Sequence, residues 1–133
     1  MRPGPFLPTC LLAVFLAVSA RADGGRSYGN VDAVVVRVCD GDTVVVDIPD
    51  YPDVIGQGIR VRLTGVDAPE LRARDEASRQ AARQARDAMA ALLPPGTAVT
   101  LTGVRRDKYF RLDAAVLLNG RDVGKRLGLP PRQ

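Results

Sequence analysis

Two aspartates stand where apolar runs break. Asp42 follows a Val-rich run and a short polar break, and Asp67 directly follows the alternating run of residues 59–66. If the strands that carry them end at one rim, the two carboxylates face each other, and a cation relieves their repulsion. The chain has no His and two Cys. The donors open to that cation are therefore oxygens, which suits a hard ion such as Ca2+ or Mg2+. Glu70, three residues beyond Asp67, is close enough to hold a water beside such an ion. Arg62 precedes Asp67 by five residues on the polar face of the same run, and Arg111 follows the basic cluster of Arg105, Arg106 and Lys108. Guanidinium groups stay charged and match phosphate with paired N–H groups. Acids for a cation and guanidiniums for an anion, without histidine, are the pairing that metal-assisted phosphodiester hydrolysis needs.

Taken singly, each piece also reads as ordinary structure. Asp40-Gly41-Asp42 is a good turn sequence. Asp67-Ala68-Pro69-Glu70 suits a strand exit leading to a helix start, and residues 105–111 suit a solvated basic turn. Co-occurrence carries the chemical reading. Composition narrows it further: without His there is no histidine triad, histidine base or histidine-ligated zinc, and two Cys make no disulfide scaffold. Trp is absent and aromatic residues are 5% of the chain, so no broad base-stacking platform is expected.

The elements that must position these residues are short. A length of 133 residues suggests one domain. Residues 31–39 read as a strand, 43–48 as its hairpin partner, and 59–66 as a third strand with Val61 and Leu63 on one face and Arg60, Arg62 and Thr64 on the other. Residues 49–58 read as a loop. Residues 72–93 lack Gly and Pro, and Ala77, Ala81, Ala85, Ala88 and Leu92 form the apolar stripe of an amphipathic helix. Arg79, Arg83 and Arg86 lie off the stripe, and Pro94-Pro95-Gly96 stops the helix. Residues 97–104 and 110–118 read as two more strands, Asn119-Gly120 as a tight turn, and 122–129 as the start of a short helix ended by Pro130-Pro131. The fold class is mainly β with α. Five short strands with a helix after the third suit a Greek-key barrel of the OB type, here with a shortened C-terminal helical region. Cys39, at the end of the Val-rich strand, reads as an inert buried thiol.

The amino terminus has a different character. Arg2 precedes an uncharged stretch over residues 6–20, and Ala20 and Ala22 are the small residues of a cleavage site. Residues 1–22 read as a secretory signal cut after Ala22. The apolar run is short for a membrane span, and an uncleaved anchor is the alternative. Residues 23–30 then read as a flexible leader, 31–129 as the domain and 130–133 as a tail. Cleavage removes Arg2 and Arg21, which lowers the net charge from +4 to +2. Net charge therefore says little about a nucleic-acid partner. The expected location is secreted or periplasmic, with no stable membrane association after cleavage and no identifiable protein partner.

Three segments gain a common meaning. Val38-Cys39-Asp40-Gly41-Asp42-Thr43, Arg62-Leu63-Thr64-Gly65-Val66-Asp67-Ala68-Pro69-Glu70 and Arg106-Asp107-Lys108-Tyr109-Phe110-Arg111 resemble the signature segments of the staphylococcal (micrococcal) thermonuclease family. They occur in family order, with the helix between the second and third, over about residues 31–128. The resemblance implies an OB-fold barrel and a Ca2+-dependent nuclease that cuts DNA and RNA. It implies that Asp42, Asp67 and the backbone carbonyl of Ala68 ligate calcium, with Asp40 as an acidic neighbour of that site. Glu70 is implied as general base or water-orienting group, and Arg62 and Arg111 as the grip on the scissile phosphate. Lys108 and Tyr109 match positions that contact a terminal phosphate. Ala68 stands where the family often has Thr, Phe110 where Gly is common, and Ala115 where an aromatic occurs. The short carboxyl end implies little cover for the barrel and low stability. The alternatives in other classes are a non-catalytic OB-fold module that binds nucleic acid or protein, and a truncated inactive homologue.

Overall fold

A computed structural model describes residues 28–132. The signal sequence expected over 1–22, and the start of the expected leader, lie outside the described residues. Strand β1 (Val31–Asp40) turns into β2 (Thr43–Asp47), and β3 (Ile59–Leu63) follows a short helix α1 (Asp53–Gly56). Helix α2 (Glu76–Leu92) leads to β4 (Ala98–Arg106) and β5 (Leu112–Leu118); β6 (Arg121–Asp122) and α3 (Val123–Arg126) complete the order. The strands pair as β3-β2-β1-β4-β5-β6, and a parallel pairing of β3 with β5 joins the ends of the five-strand set. The result is a closed mixed barrel of the OB type with a few helices, as the strand order implied. Closure removes the open edges that a five-strand sheet would otherwise expose.

Alternation explains most of the strands. Val61 and Leu63 point inward from β3, Ala114 and Val116 from β5, and Leu101 from β4, all buried. Each buried Val or Leu side chain contributes roughly 1.5–3 kcal/mol through apolar burial. Strand β1 breaks the alternation twice, with register shifts between Val35 and Arg37 and between Val38 and Asp40. Bulges of this kind bend a strand, and β1 pairs with β4 through residues 31–34 and with β2 through residues 34–40. The second shift lifts Cys39 out of the ladder. Cys39 is therefore half-buried, not the buried thiol that strand alternation implied, and its Sγ accepts a 3.1 Å hydrogen bond from Arg37.

The expected loop over 49–58 contains the single helical turn α1. Helix α2 begins at Glu76 rather than near Arg72, because the Asp75 side chain accepts from the Ser78 N–H at 2.7 Å and caps it there. Its buried face also differs from the expected stripe. Of the stripe, Ala85 and Leu92 are half-buried and pack inward, but Ala77, Ala81 and Ala88 are exposed, whereas Ala82, Met89 and the following Leu93 are buried. Alanines occupy every side of this helix and carry little apolar area, so Met89 decides which side turns to the core. Arg79 and Arg83 lie on the solvent side and both pair with Glu76. Asn119 and Gly120 both take positive φ in the two-residue turn between β5 and β6, as a twisted hairpin demands. Among the described residues no helix is long and apolar enough to cross a membrane.

The rotated face has a measurable consequence. Met89→Ala should cost about 2–5 kcal/mol of unfolding free energy, while Ala88→Ser, on the expected but exposed stripe, should change it by less than about 1 kcal/mol. Urea unfolding of both variants checks this; equal losses would restore the alanine stripe as the packed face.

Candidate functional site

The β1–β2 hairpin sets the first acid. Asp40 pairs with Thr43, so Gly41 and Asp42 form the turn. The Asp42 carbonyl accepts from the Leu63 N–H at 2.9 Å, which ties the turn to β3. The Asp42 carboxylate is buried; Oδ1 accepts from the Thr43 hydroxyl at 2.9 Å and Oδ2 from the Ala68 N–H at 3.3 Å. Gly41 makes this closeness possible. A Cβ there would lie 2.7 Å from the Ala85 Cβ and 2.8 Å from the Ala68 Cβ. Helix α2 and the segment that carries Asp67 thus both press on the turn, and only a residue without a side chain fits beneath them.

The second acid is reached through an arginine. Arg62 projects from β3 beside Thr43 of β2 and Asp113 of β5. Its Nη2 donates to Asp67 Oδ1, and its Nε lies 3.6 Å from Asp42 Oδ2. One guanidinium therefore bridges the two carboxylates. Partial burial disfavours its charge, but the hydrogen bond to Asp67 and the charges of Asp42, Asp67 and Asp107 outweigh that and raise its pKa. Arginine is charged at any physiological pH, so the effect here is positional. Its buried Nε has no hydrogen-bond partner among the described residues.

Arg111 is held by the loop between β4 and β5. The Asp107 carboxylate accepts from the Lys108 N–H at 2.7 Å and from Arg111 Nε at 2.7 Å. Backbone bonds from Asp107 N–H to Arg111 carbonyl and from Arg111 N–H to Lys108 carbonyl close the loop on itself. The Lys108 N–H, and then Arg111, hold the Asp107 carboxyl below the usual carboxylate range against a burial penalty.

Asp40, Asp42, Arg62, Asp67, Ala68, Glu70 and Arg111 line one cleft of about 530 Å3. Lys108 and Tyr109 are not in it. They line a smaller adjoining pocket with Cys39 and Arg60, and that pocket shares Asp40 and Arg111 with the cleft. Glu70 is exposed at the cleft surface. Among the described residues no three Asp, Glu, His or Cys side chains converge as a ready metal cage. The two carboxylates converge instead on the Arg62 guanidinium. This all-oxygen pair is of the donor type that suits a hard divalent cation whose shell is completed by water.

Arg132 was not legible as part of this arrangement. It follows Pro130-Pro131 and read as tail, yet Pro130 accepts from the Asp67 N–H at 2.9 Å and Arg132 donates its backbone N–H to Gly65 at 3.0 Å. The Arg132 guanidinium donates to the Leu63 carbonyl at 2.9 Å and lies 3.9 Å from Asp67 and 3.7 Å from Asp113. It braces the strand exit that presents Asp67. A lone arginine after two prolines carries no local signal of such a contact.

Compared with known proteins, the chain matches the family model described as staphylococcal nuclease homologue over residues 60–128. That span runs from β3 through α3 and includes Arg62, Asp67, Glu70 and Arg111; the β1–β2 hairpin with Asp42 precedes it. No curated protein matches the chain.

The depressed Asp107 pKa fixes the sign of one pH effect. Its contribution to stability is fully present above the unfolded Asp pKa near ~4 and is lost as acid protonates the folded carboxylate. Between about pH 4 and pH 2 the wild type should therefore lose more stability than Asp107→Asn. Denaturant unfolding across that range checks it, and parallel curves for the two proteins would contradict it.

Proposed function

The chain belongs to the staphylococcal nuclease family, and from that premise we propose that it is an exported, calcium-dependent nuclease that hydrolyses DNA and RNA with low sequence specificity. The observation that carries this reading is the sharing of one cleft by three guanidiniums (Arg62, Arg72 and Arg111), two convergent carboxylates and an exposed glutamate. Each group then has a task. Asp42, Asp67 and the Ala68 carbonyl would hold Ca2+, with Asp40 nearby. When bound, the cation supplies charge neutralisation at the phosphoryl oxygens and polarises the phosphorus centre.

The remaining work falls to the chain's own side chains. Arg62 and Arg111 grip the scissile phosphate and stabilise the charge that builds on its oxygens. Glu70 orients a water in line with the bond to be broken and takes its proton. The water oxygen bonds to phosphorus as the bond to the 5′ oxygen breaks, and the departing 5′ oxygen takes a proton from solvent, so the products are a 5′-hydroxyl and a 3′-phosphate. Lys108 and Tyr109 contact a further phosphate of the strand. Phosphate contacts carry no sequence information, which supports low specificity and salt-dependent binding. Export rests on the signal-like residues 1–22, and it would deliver the enzyme to a calcium-rich medium.

The test is cleavage of plasmid DNA by the full chain with Ca2+ or with a chelator, beside Glu70→Gln. Cutting should require Ca2+ and fall by roughly 10²- to 10⁴-fold in the variant, the usual contribution of a positioned acid or base. Intact DNA with Ca2+ present would overturn the nuclease reading.

A further inference from the structure

The four aromatic residues among the described residues all line one groove. Tyr28, Tyr51, Tyr109 and Phe110 come from three separate places: the residues before β1, the turn before α1, and two successive positions of the β4–β5 loop. The groove lies beside the candidate cleft, and Arg111 belongs to the walls of both. Arg106 adds a second guanidinium to its lining. Few aromatics thus become a concentrated surface, which composition alone could not reveal.

Two of these side chains are held in an unusual way. Tyr109 and Phe110 take φ of 56° and 59°, a region that residues with a Cβ avoid. The strained backbone brings no packing in return, since the two residues are 93% and 85% exposed. The loop is nonetheless held in this shape, because Asp107 ties Lys108 and Arg111 together beneath it. Exposed aromatic faces on a preorganised loop next to guanidiniums suit a ligand that alternates flat apolar rings with anionic linkages. A single strand of nucleic acid is such a ligand: its bases stack on aromatic faces while its phosphates meet arginine.

We propose that the Tyr28–Tyr51–Tyr109–Phe110 groove is a nucleobase-stacking subsite, which receives a base of the strand whose phosphate is held by Arg111. This rests on the nuclease reading for the phosphate and extends it to the base. The subsite favours single-stranded or locally opened substrate, because a base within a duplex offers no free face.

The chain has no Trp and three Tyr, and all three Tyr line the groove. Tyrosine fluorescence therefore reports on it directly. The experiment titrates the full-length protein in chelator, where the strand stays intact. The probes are a short oligothymidylate and an abasic sugar-phosphate oligomer of equal length, with correction for base absorbance. Oligothymidylate should quench the emission saturably and bind more tightly than the abasic oligomer. Phe110→Ala, which leaves every reporter in place, should weaken oligothymidylate binding roughly tenfold, at the lower end of base–aromatic stacking, and leave abasic binding unchanged. Equal binding of the two oligomers would overturn the base subsite and leave the phosphate grip standing. Binding by neither would overturn the subsite too, as would a Phe110→Ala protein that binds as the wild type. Saturable quenching by oligothymidylate in a protein that never cuts DNA with Ca2+ would keep the subsite and remove the nuclease reading.

Discussion

One guanidinium lies between two acids at the rim of the barrel, and the site is organised around it. Arg62 reaches Asp67 from one side and Asp42 from the other. Neither acid is adjacent to it in sequence; one comes from a hairpin turn and the other from a strand exit. Their closeness would be costly without a positive charge between them. The pairs are partly solvated, with the Asp67 side chain 42% exposed, so their worth lies less in stability than in position. Under the proposed reading, the same closeness would let a cation compete with the guanidinium for the two carboxylates.

That arrangement depends on closure. The parallel pairing of β3 with β5 sets Arg62 opposite Asp113, and Arg132 reaches back from the carboxyl end to touch both Asp113 and the Asp67 segment. Leu127 and Leu129 pack on the core along the way. The last residues therefore cover the barrel and brace its rim. On the other side, α2 presses Ala85 onto Gly41. The hairpin turn is thus confined between the helix and the strand exit, which limits how far Asp42 can move from Arg62.

Much of this was legible in the residues. Alternation in β3 separated Val61 and Leu63 from Arg62, and the breaks at Asp42 and Asp67 marked strand ends. What escaped did so for identifiable reasons. The alanine stripe misled because alanine is found all around α2, and the single Met89 outweighs several methyl groups. Cys39 turned outward because a bulge has no signature in a run of valines. Gly41 read as a turn residue, but its φ lies outside the left-handed region and its role is to admit two neighbouring Cβ atoms. Arg132 and the aromatic groove depend on contacts between distant parts of the chain, for which local sequence carries no sign.

The central claim is that Asp42 and Asp67 form one cation site at the barrel rim. Equilibrium dialysis of the full-length protein against radioactive calcium tests it most directly, beside Asp42→Asn and Asp67→Asn. Saturable calcium uptake by the wild type, lost in both variants while their circular dichroism stays unchanged, is the predicted result. Undiminished uptake by either folded variant, or none by the wild type, would contradict it.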